Sequence, residues 1–106
     1  MEKKDGIIDW TKSASEIERF ARAMTSWPSA WTWISGKQLK VLEIDPNTIN
    51  LDTYKPGKTF IYNSNLAVQC GSQALIIRRL QLEGKKAMSS EEFMRGYKEF
   101  VGTVLG

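Results

Sequence analysis

Apolar side chains recur at helical spacing near the start of the chain and at strand spacing through its middle. In the stretch 17–24 they follow one face of a helix, with charged residues on the other face. Ser13 and Glu16 precede this stretch and fit a capping box, in which a hydroxyl and a carboxylate satisfy free backbone amides. The pattern predicts an amphipathic helix that ends before Trp27-Pro28, because a residue that precedes proline is disfavoured in the α conformation.

The segments that follow are rich in β-forming residues and are separated by short turn signals. They read "AWTWIS", "LKVLEI", "TFIYN", "LAVQC" and "ALIIRRLQL". The first two are split by "GK", which predicts a hairpin, and the loop "DPNTINLDTYKPGK" separates the second from the third. A second capping box at Ser89–Glu92 predicts a short helix. We therefore predict a mainly β fold: a small OB-like antiparallel β-barrel of about five strands, with an N-terminal helix and a short C-terminal helix.

Length and composition point to an ordinary small domain. With 106 residues, 42% hydrophobic and 25% charged, residues 1–106 are expected to form one domain. No apolar run is long enough to span a membrane, and the first residues lack the apolar region of a signal peptide. The single cysteine, Cys70, allows no internal disulfide and fits the cytoplasm, and we expect a buried thiol there.

The absence of histidine excludes several kinds of chemistry. With none in the chain, a histidine general base, a nucleophile–histidine pair and most zinc sites cannot be built from these residues. No metal-ligand spacing and no glycine-rich phosphate loop is found either. We expect this chain alone not to be catalytic.

Positive charge is concentrated in the middle of the sequence. The net charge of the chain is +3, and the segment 53–90 holds six basic residues against Glu83 alone. In "LQLEGKKAM" a turn accounts for Gly84 but not for the adjacent pair Lys85-Lys86. Two neighbouring ammonium groups repel each other, so the pair indicates an anion nearby. A solvated basic face without a partner is the alternative. Arg78 and Arg79 end a β-branched run, where alternation would point them to opposite faces of the strand.

The four tryptophans allow two interpretations, base stacking in a single-strand binder or packing in the core. Trp31 and Trp33 share one face of a predicted strand, and Trp27 lies beside Pro28. The basic residues lie in other segments of the chain. We therefore favour packing for all four, including Trp10.

A series of motifs resembles a known family over nearly the whole chain. In order they are "KKDGIIDW", "WPSAWT", "GKQLKV", "KPGK", "LAVQCG", "LQLEGKKAM", "FMRG" and "GTVLG". Together they resemble the C-terminal domain of methionyl-tRNA formyltransferases. The chain departs from the family at Ser29, where a glycine usually follows "WP", and at "GSQ", where the family often has "GDG".

The resemblance implies an OB-like barrel attached to a Rossmann-type catalytic domain that is absent from this chain. That domain would bind 10-formyltetrahydrofolate and transfer its formyl group to the methionine of initiator methionyl-tRNA, so no cofactor is expected in residues 1–106. The implied partners are tRNA and the catalytic domain, with no membrane and a monomeric chain. The resemblance assigns tRNA contact to five residues: Lys85, Lys86, Arg78, Arg79 and Lys37.

Two alternatives remain open. The same barrel could belong to a relative that acts on a sugar or folate substrate, although such a relative needs no large phosphate-binding surface. The chain could instead be a stand-alone OB module for single-stranded nucleic acid, which predicts exposed aromatic side chains at Trp31 and Trp33.

Overall fold

The structure, a computed structural model, describes residues 3–24 and 29–106. Among these residues, helices α1 and α2 span Ala14–Ala23 and Ser90–Gly96, and short 3-10 helices span Lys3–Gly6 and Lys98–Phe100. The strands are β1 (Ala30–Ile34), β2 (Lys37–Ile44), β3 (Thr59–Tyr62), β4 (Asn65–Gln69), β5 (Ala74–Leu82) and β6 (Met88–Ser89). No helix in the described part of the chain is long and apolar enough to cross a membrane.

The predicted capping box at the start of α1 is confirmed. The Ser13 hydroxyl accepts a hydrogen bond from the Glu16 amide at 3.2 Å, and the Glu16 carboxylate accepts one from the Ser13 amide at 3.2 Å. These bonds satisfy amides that have no partner within the first turn. The helix ends at Ala23, as predicted, and Trp27-Pro28 lies outside the described residues.

The mainly β prediction is confirmed, with one strand more than expected. All pairings within the sheet are antiparallel, in the order β1-β2-β5-β4-β3, and β6 pairs with β5. Sequence pattern did not reveal β6 because two residues, Met88 and Ser89, show no alternation.

Both short hairpins turn through two residues with positive φ. The β1–β2 turn is made by Ser35 and Gly36, with φ of 47° and 82°, and so lies one residue before the predicted "GK". The β3–β4 turn is made by Asn63 and Ser64, with φ of 48° and 67°. Turns of this kind match the twist of the flanking strands and fix the register of each hairpin.

Closure into a barrel is the part of the prediction that needs correction. In the described part of the chain β1 and β3, the two ends of the sheet, are not paired with each other. The C-terminal segment 103–106 lies between them. Thr59 at the start of β3 donates its amide to the Thr103 carbonyl at 2.9 Å, and Gly106 donates to the Trp33 carbonyl of β1 at 2.9 Å. The sheet is therefore open, and residues 103–106 connect its two end strands by hydrogen bonds.

The two faces of strands β2 and β5 differ in their exposure to solvent. Leu39, Val41 and Leu80 point into the core, which α1 and α2 cover through Ile17 and Phe93. The alternate positions of β2 and β5 point to the outer face and are partly exposed: Gln38, Lys40 and Gln81. The polar surface described next is built on this outer face and on the adjacent end of the sheet.

Candidate nucleic-acid interface

The turn after β5 presents the predicted lysine pair to solvent. Gly84 has φ of 80°, a conformation that favours glycine, and the Lys85 amide donates to the Leu82 carbonyl at 2.9 Å. The Gln81 side-chain amide donates to the Lys85 carbonyl at 2.9 Å, which holds the far side of the turn. Lys85 and Lys86 are both exposed. The prediction that Gly84 makes this turn is confirmed.

Lys37 lies at the same end of the sheet as the lysine pair. It opens β2, whose next residues pair with the end of β5 through Leu39 and Leu82. The pairing continues into the turn, because the Glu83 amide donates to the Gln38 carbonyl at 2.9 Å. In return the Glu83 carboxylate accepts the Gln38 amide at 2.8 Å, so this acidic group is held by backbone. The fold thus brings three of the five predicted residues to one end.

Lys40 is a fourth cation on this surface that our sequence analysis missed. It stands opposite Gln81 in the register of β2 and β5 and is partly exposed. With Gln38, Gln81 and Gly84 it lines a groove of about 170 Å³. The signal was present in "KQLKVLEI", because inward Leu39 and Val41 require Lys40 to point outward. We call Lys37, Lys40, Lys85 and Lys86 the basic end of the sheet.

Arg78 and Arg79 lie farther along β5 than the turn with the lysine pair, and Arg78 has an acidic partner. Arg78 forms an ion pair with Asp45, whose side chain is only 14% exposed. Arg79 stands opposite Glu43 in the register with β2. Arg79 precedes Gln81, the residue opposite Lys40, by two residues, which is about 7 Å along a strand. Arg78 is therefore held apart from the lysines by its ion pair, whereas Arg79 lies on the outer face as a diagonal cross-strand neighbour of Lys40.

The expected alternation of the two arginines is not observed, because the register of β2 and β5 shifts on both sides of Glu43. Arg78 and Arg79 are both exposed as a result. A local irregularity of this kind adds a residue to one strand and re-aims its side chains. Sequence alternation alone cannot reveal such a shift.

Asp45 stays ionised and keeps its hold on Arg78. The Asn47 amide donates to its carboxylate at 2.8 Å, and Arg78 donates to the other oxygen. The backbone hydrogen bond from Asn47, followed by the bond from Arg78, keeps the pKa of Asp45 below its ordinary value. At neutral pH the positive charge of Arg78 is therefore largely neutralised by Asp45.

Cys70 is buried, as predicted. It is 2% exposed, and burial raises the pKa of its thiol to about 12. A thiol that remains protonated at neutral pH is a poor nucleophile. In the described residues, moreover, no three acidic, cysteine or histidine side chains are grouped so that they could hold a metal ion.

The tryptophans divide into two classes. Trp10 and Trp31 are 5% and 4% exposed, which confirms packing for both. The Trp10 indole donates to the Thr32 hydroxyl at 2.9 Å inside the core. Packing was the wrong prediction for Trp33, which is 40% exposed, and Trp27 lies outside the described residues.

Comparison with known sequences gives a consistent result. A family described as "Formyl transferase, C-terminal domain" matches residues 1–98. The methionyl-tRNA formyltransferase of Lachnospira eligens is 38% identical over 111 residues, which cover 100% of this chain and 35% of that protein. The enzyme of the same name from Dehalococcoides mccartyi (strain CBDB1) is 43% identical over 105 residues, with 98% and 33% coverage. The chain thus spans about a third of the length of these curated relatives.

Solved structures agree on the fold. HypX from Aquifex aeolicus, crystallised in complex with tetrahydrofolic acid, superposes with a TM-score of 0.72 over 95% of this chain and 18% of the HypX chain. The identity of 17% makes this a likeness of fold alone. Because the family match extends over nearly the whole chain, the chain belongs to the formyl transferase C-terminal domain family.

Proposed function

We propose that this chain is the tRNA-contacting C-terminal domain of a methionyl-tRNA formyltransferase. The relatives that bear this name match the chain over almost all of its length. The observation that carries tRNA contact is the basic end of the sheet: Lys40 lies on the outer face of β2, Lys37 lies on the side of α2 at the start of that strand, and exposed Lys85 and Lys86 follow β5 in the adjoining turn. The acidic residue among them, Glu83, is bonded to a backbone amide.

In this proposal the chemistry belongs to a separate catalytic domain. That domain transfers the formyl group of 10-formyltetrahydrofolate to the amino group of methionine on initiator tRNA during translation initiation in the cytoplasm. The present chain contains no histidine and contributes binding alone. Its role is to hold the tRNA while the catalytic domain engages the aminoacyl end.

Lysine ammonium groups suit this role because they act as point charges toward phosphate oxygens. Contacts of this kind position a nucleic acid without reading its sequence. The domain alone should therefore bind weakly, with little sequence preference and with a steep dependence on salt.

The same domain in an enzyme for a sugar or folate substrate is the less favoured alternative. A small-molecule substrate would be bound wholly by the catalytic domain and would leave no use for a phosphate-binding surface. The exposed pair Lys85-Lys86, together with Lys37 and Lys40, speaks for the tRNA substrate.

The test compares two double variants of equal charge. Lys85→Glu with Lys86→Glu alters the basic end, whereas Arg19→Glu with Arg22→Glu alters α1, where Arg22 lies beside the opposite end of β2. Each pair of changes lowers the net charge from +3 to −1. Binding of bulk tRNA is measured by fluorescence anisotropy at several salt concentrations.

We expect the lysine variant to lose roughly tenfold or more in affinity at low salt, and each lost phosphate contact to reduce the salt slope by about 0.7–0.9. The arginine variant should bind nearly as the unaltered chain does. Equal weakening by both variants would show that only net charge matters, and an unaltered lysine variant would remove the basic end from the interface.

A further inference from the structure

Trp33 is a large apolar side chain that stays partly exposed on β1. Its strand, β1, buries Ala30, Trp31 and Thr32, yet leaves 40% of the Trp33 surface in solvent. A single exposed apolar side chain is common in proteins and by itself indicates nothing. The surroundings of Trp33 are what distinguish it.

Trp33 forms part of the wall of an open groove of about 420 Å³. Its other apolar walls include Ile7 and Pro56, which are exposed, and Ile8, Trp10 and Leu105, which are buried. The edge-to-face contact between Trp33 and Trp31, with ring centres 5.0 Å apart at 78°, leaves at least one face of Trp33 uncovered by Trp31. Buried Trp31 thus braces an indole that retains a free surface for stacking.

The groove adjoins the basic end of the sheet. Trp33 pairs with Gln38, and the Gln38 backbone is bonded to Glu83 on the side away from β1. The Trp33 carbonyl is bonded to Gly106 on its own outer side. Trp33 and Gln38 are therefore a non-hydrogen-bonded pair of the β1–β2 ladder. In such a pair the two side chains lie closer together than in a hydrogen-bonded pair.

Two exposed cations are next in sequence to residues that line the groove. Lys12 follows Thr11, and Lys55 precedes Pro56, both of which line the groove, and both lysines are exposed. Exposed aromatic rings combined with nearby cations are the usual means by which proteins bind unpaired nucleotides.

A fixed carboxylate supplies a hydrogen-bond acceptor inside the groove. Asp9 lines it, and its carboxylate accepts the Thr11 hydroxyl at 2.6 Å and the Thr11 amide at 3.0 Å. These hydrogen bonds keep the pKa of Asp9 below its ordinary value, so the group is ionised at neutral pH. An ionised carboxylate accepts from an exocyclic amino group, such as N4 of cytosine, and repels a carbonyl oxygen such as O4 of uracil.

We propose that this groove binds an unpaired RNA nucleobase, stacked on Trp33, with the exocyclic amino group of the base donating to Asp9. The inference rests on the proposed function in taking RNA as the partner, and it adds unpaired bases to the phosphate contacts of the basic end. A tRNA offers such bases in its loops and at its 3′ end.

The experiment uses three labelled RNAs: single-stranded octamers of cytidine and of uridine, and a blunt-ended duplex. Binding is measured by anisotropy at low salt for the unaltered chain and for Trp33→Ala. Tyr54→Ala is the matched control, because Tyr54 is 43% exposed and does not line the groove. Trp33→Leu keeps an apolar side chain without an aromatic face, and it replaces Trp33→Ala if that variant does not fold.

We expect Trp33→Ala and Trp33→Leu to bind the cytidine octamer about tenfold more weakly, within the range of stacking contributions, and to bind the duplex unchanged. Tyr54→Ala should bind all three RNAs normally. The unaltered chain should prefer cytidine to uridine, and Asp9→Ala should abolish that preference. Octamer binding that is insensitive to Trp33, or equal binding of cytidine and uridine by the unaltered chain, overturns the proposal.

Failure of the proposed function has a different signature. If the Lys85→Glu, Lys86→Glu variant binds tRNA like the unaltered chain, the basic end is not the phosphate contact. Trp33-dependent binding of the cytidine octamer would stand regardless. Conversely, loss of tRNA binding in the lysine variant together with Trp33-independent octamer binding would leave the phosphate contacts and remove the stacking site.

Discussion

At the residue scale, two of the non-glycine residues with positive φ lie outside the two short hairpins. Ser29 and Gln73 have φ of 70° and 66°, and both stand where the family resemblance leads us to expect glycine. The left-handed conformation costs a residue with a Cβ roughly 1–2 kcal/mol. At Gln73 the cost is offset locally, because its amide donates to Asp52 at 2.7 Å and its side-chain carbonyl accepts the Thr48 hydroxyl at 2.8 Å.

Replacing Gln73 separates the cost of its left-handed backbone conformation from the contribution of its side-chain hydrogen bond. Gln73→Gly and Gln73→Ala both lose the hydrogen bond with Thr48, but only the alanine variant keeps the unfavourable φ. We expect the glycine variant to be the more stable of the two by about 1 kcal/mol, although glycine is usually the less stable choice. Urea unfolding of both variants measures the difference, and an alanine variant of equal or greater stability would contradict the left-handed assignment.

The sequence indicated the residues of the candidate site better than it indicated the side chains that those residues contact. The glycine in "LEGKK" was enough to predict the turn, and alternation along β2 carried the signal for Lys40, which was missed. The ion pair of Arg78 with Asp45 depends on the register between β2 and β5, which no local pattern specifies. The exposure of Trp33 likewise depends on segments that are distant in sequence.

At the scale of elements, the attachment of α1 to the sheet depends on a close backbone approach at Gly71. Its amide donates to the Lys12 carbonyl at 2.9 Å, and the Ala14 amide donates to the Ser72 carbonyl at 2.9 Å. A Cβ at position 71 would lie 1.8 Å from the Thr11 carbonyl oxygen. The segment that enters α1 and the β4–β5 turn can therefore meet only if residue 71 is glycine.

We expect Gly71→Ala to destabilise the chain by about 3 kcal/mol or more, since backbone and not a flexible side chain must move. For a domain of this size that corresponds to a fall in melting temperature of roughly 12 °C or more. Gly96→Ala is the control, because a Cβ at the end of α2 meets nothing within 4 Å. Its melting temperature should stay the same or rise slightly. Similar losses in both variants would argue against the close approach at Gly71.

Local pattern was sufficient for α1, α2 and the five longer strands, because each carries its own periodicity and end signals. It was insufficient for β6 and for the C-terminal segment 103–106. That segment is held by bonds to Gly57, Thr59 and Trp33, which are far from it in sequence. Whether a sheet closes is decided by such non-local contacts.

At the scale of the whole molecule, the distribution of charge in space differs from its distribution along the chain. The segment 53–90 carries most of the positive charge, but its cations are spread over the fold. Arg78 and Arg79 lie across from Asp45 and Glu43. The pair Lys85-Lys86 is joined instead by Lys37 and Lys40, which come from a segment with more acidic than basic residues. The basic end is thus a product of strand pairing.

The two ends of β2 therefore carry different surfaces. Lys37 and Ile44 are seven residues apart, or about 23 Å along the strand. One end presents the basic end of the sheet, and the other presents Asp45 with its bound Arg78. A polyanion that recognises this domain should distinguish them.

Contact between tRNA and the basic end is tested by mapping the contact surface with nuclear magnetic resonance. Unlabelled tRNA is added to the ¹⁵N-labelled chain at low salt, and backbone amide signals are followed residue by residue. We expect the signals of 37–40 and 81–86 to shift or broaden first and to recover as salt is raised. Changes centred on 19–22 and 45–47, or none at tRNA concentrations that saturate binding, would contradict the account.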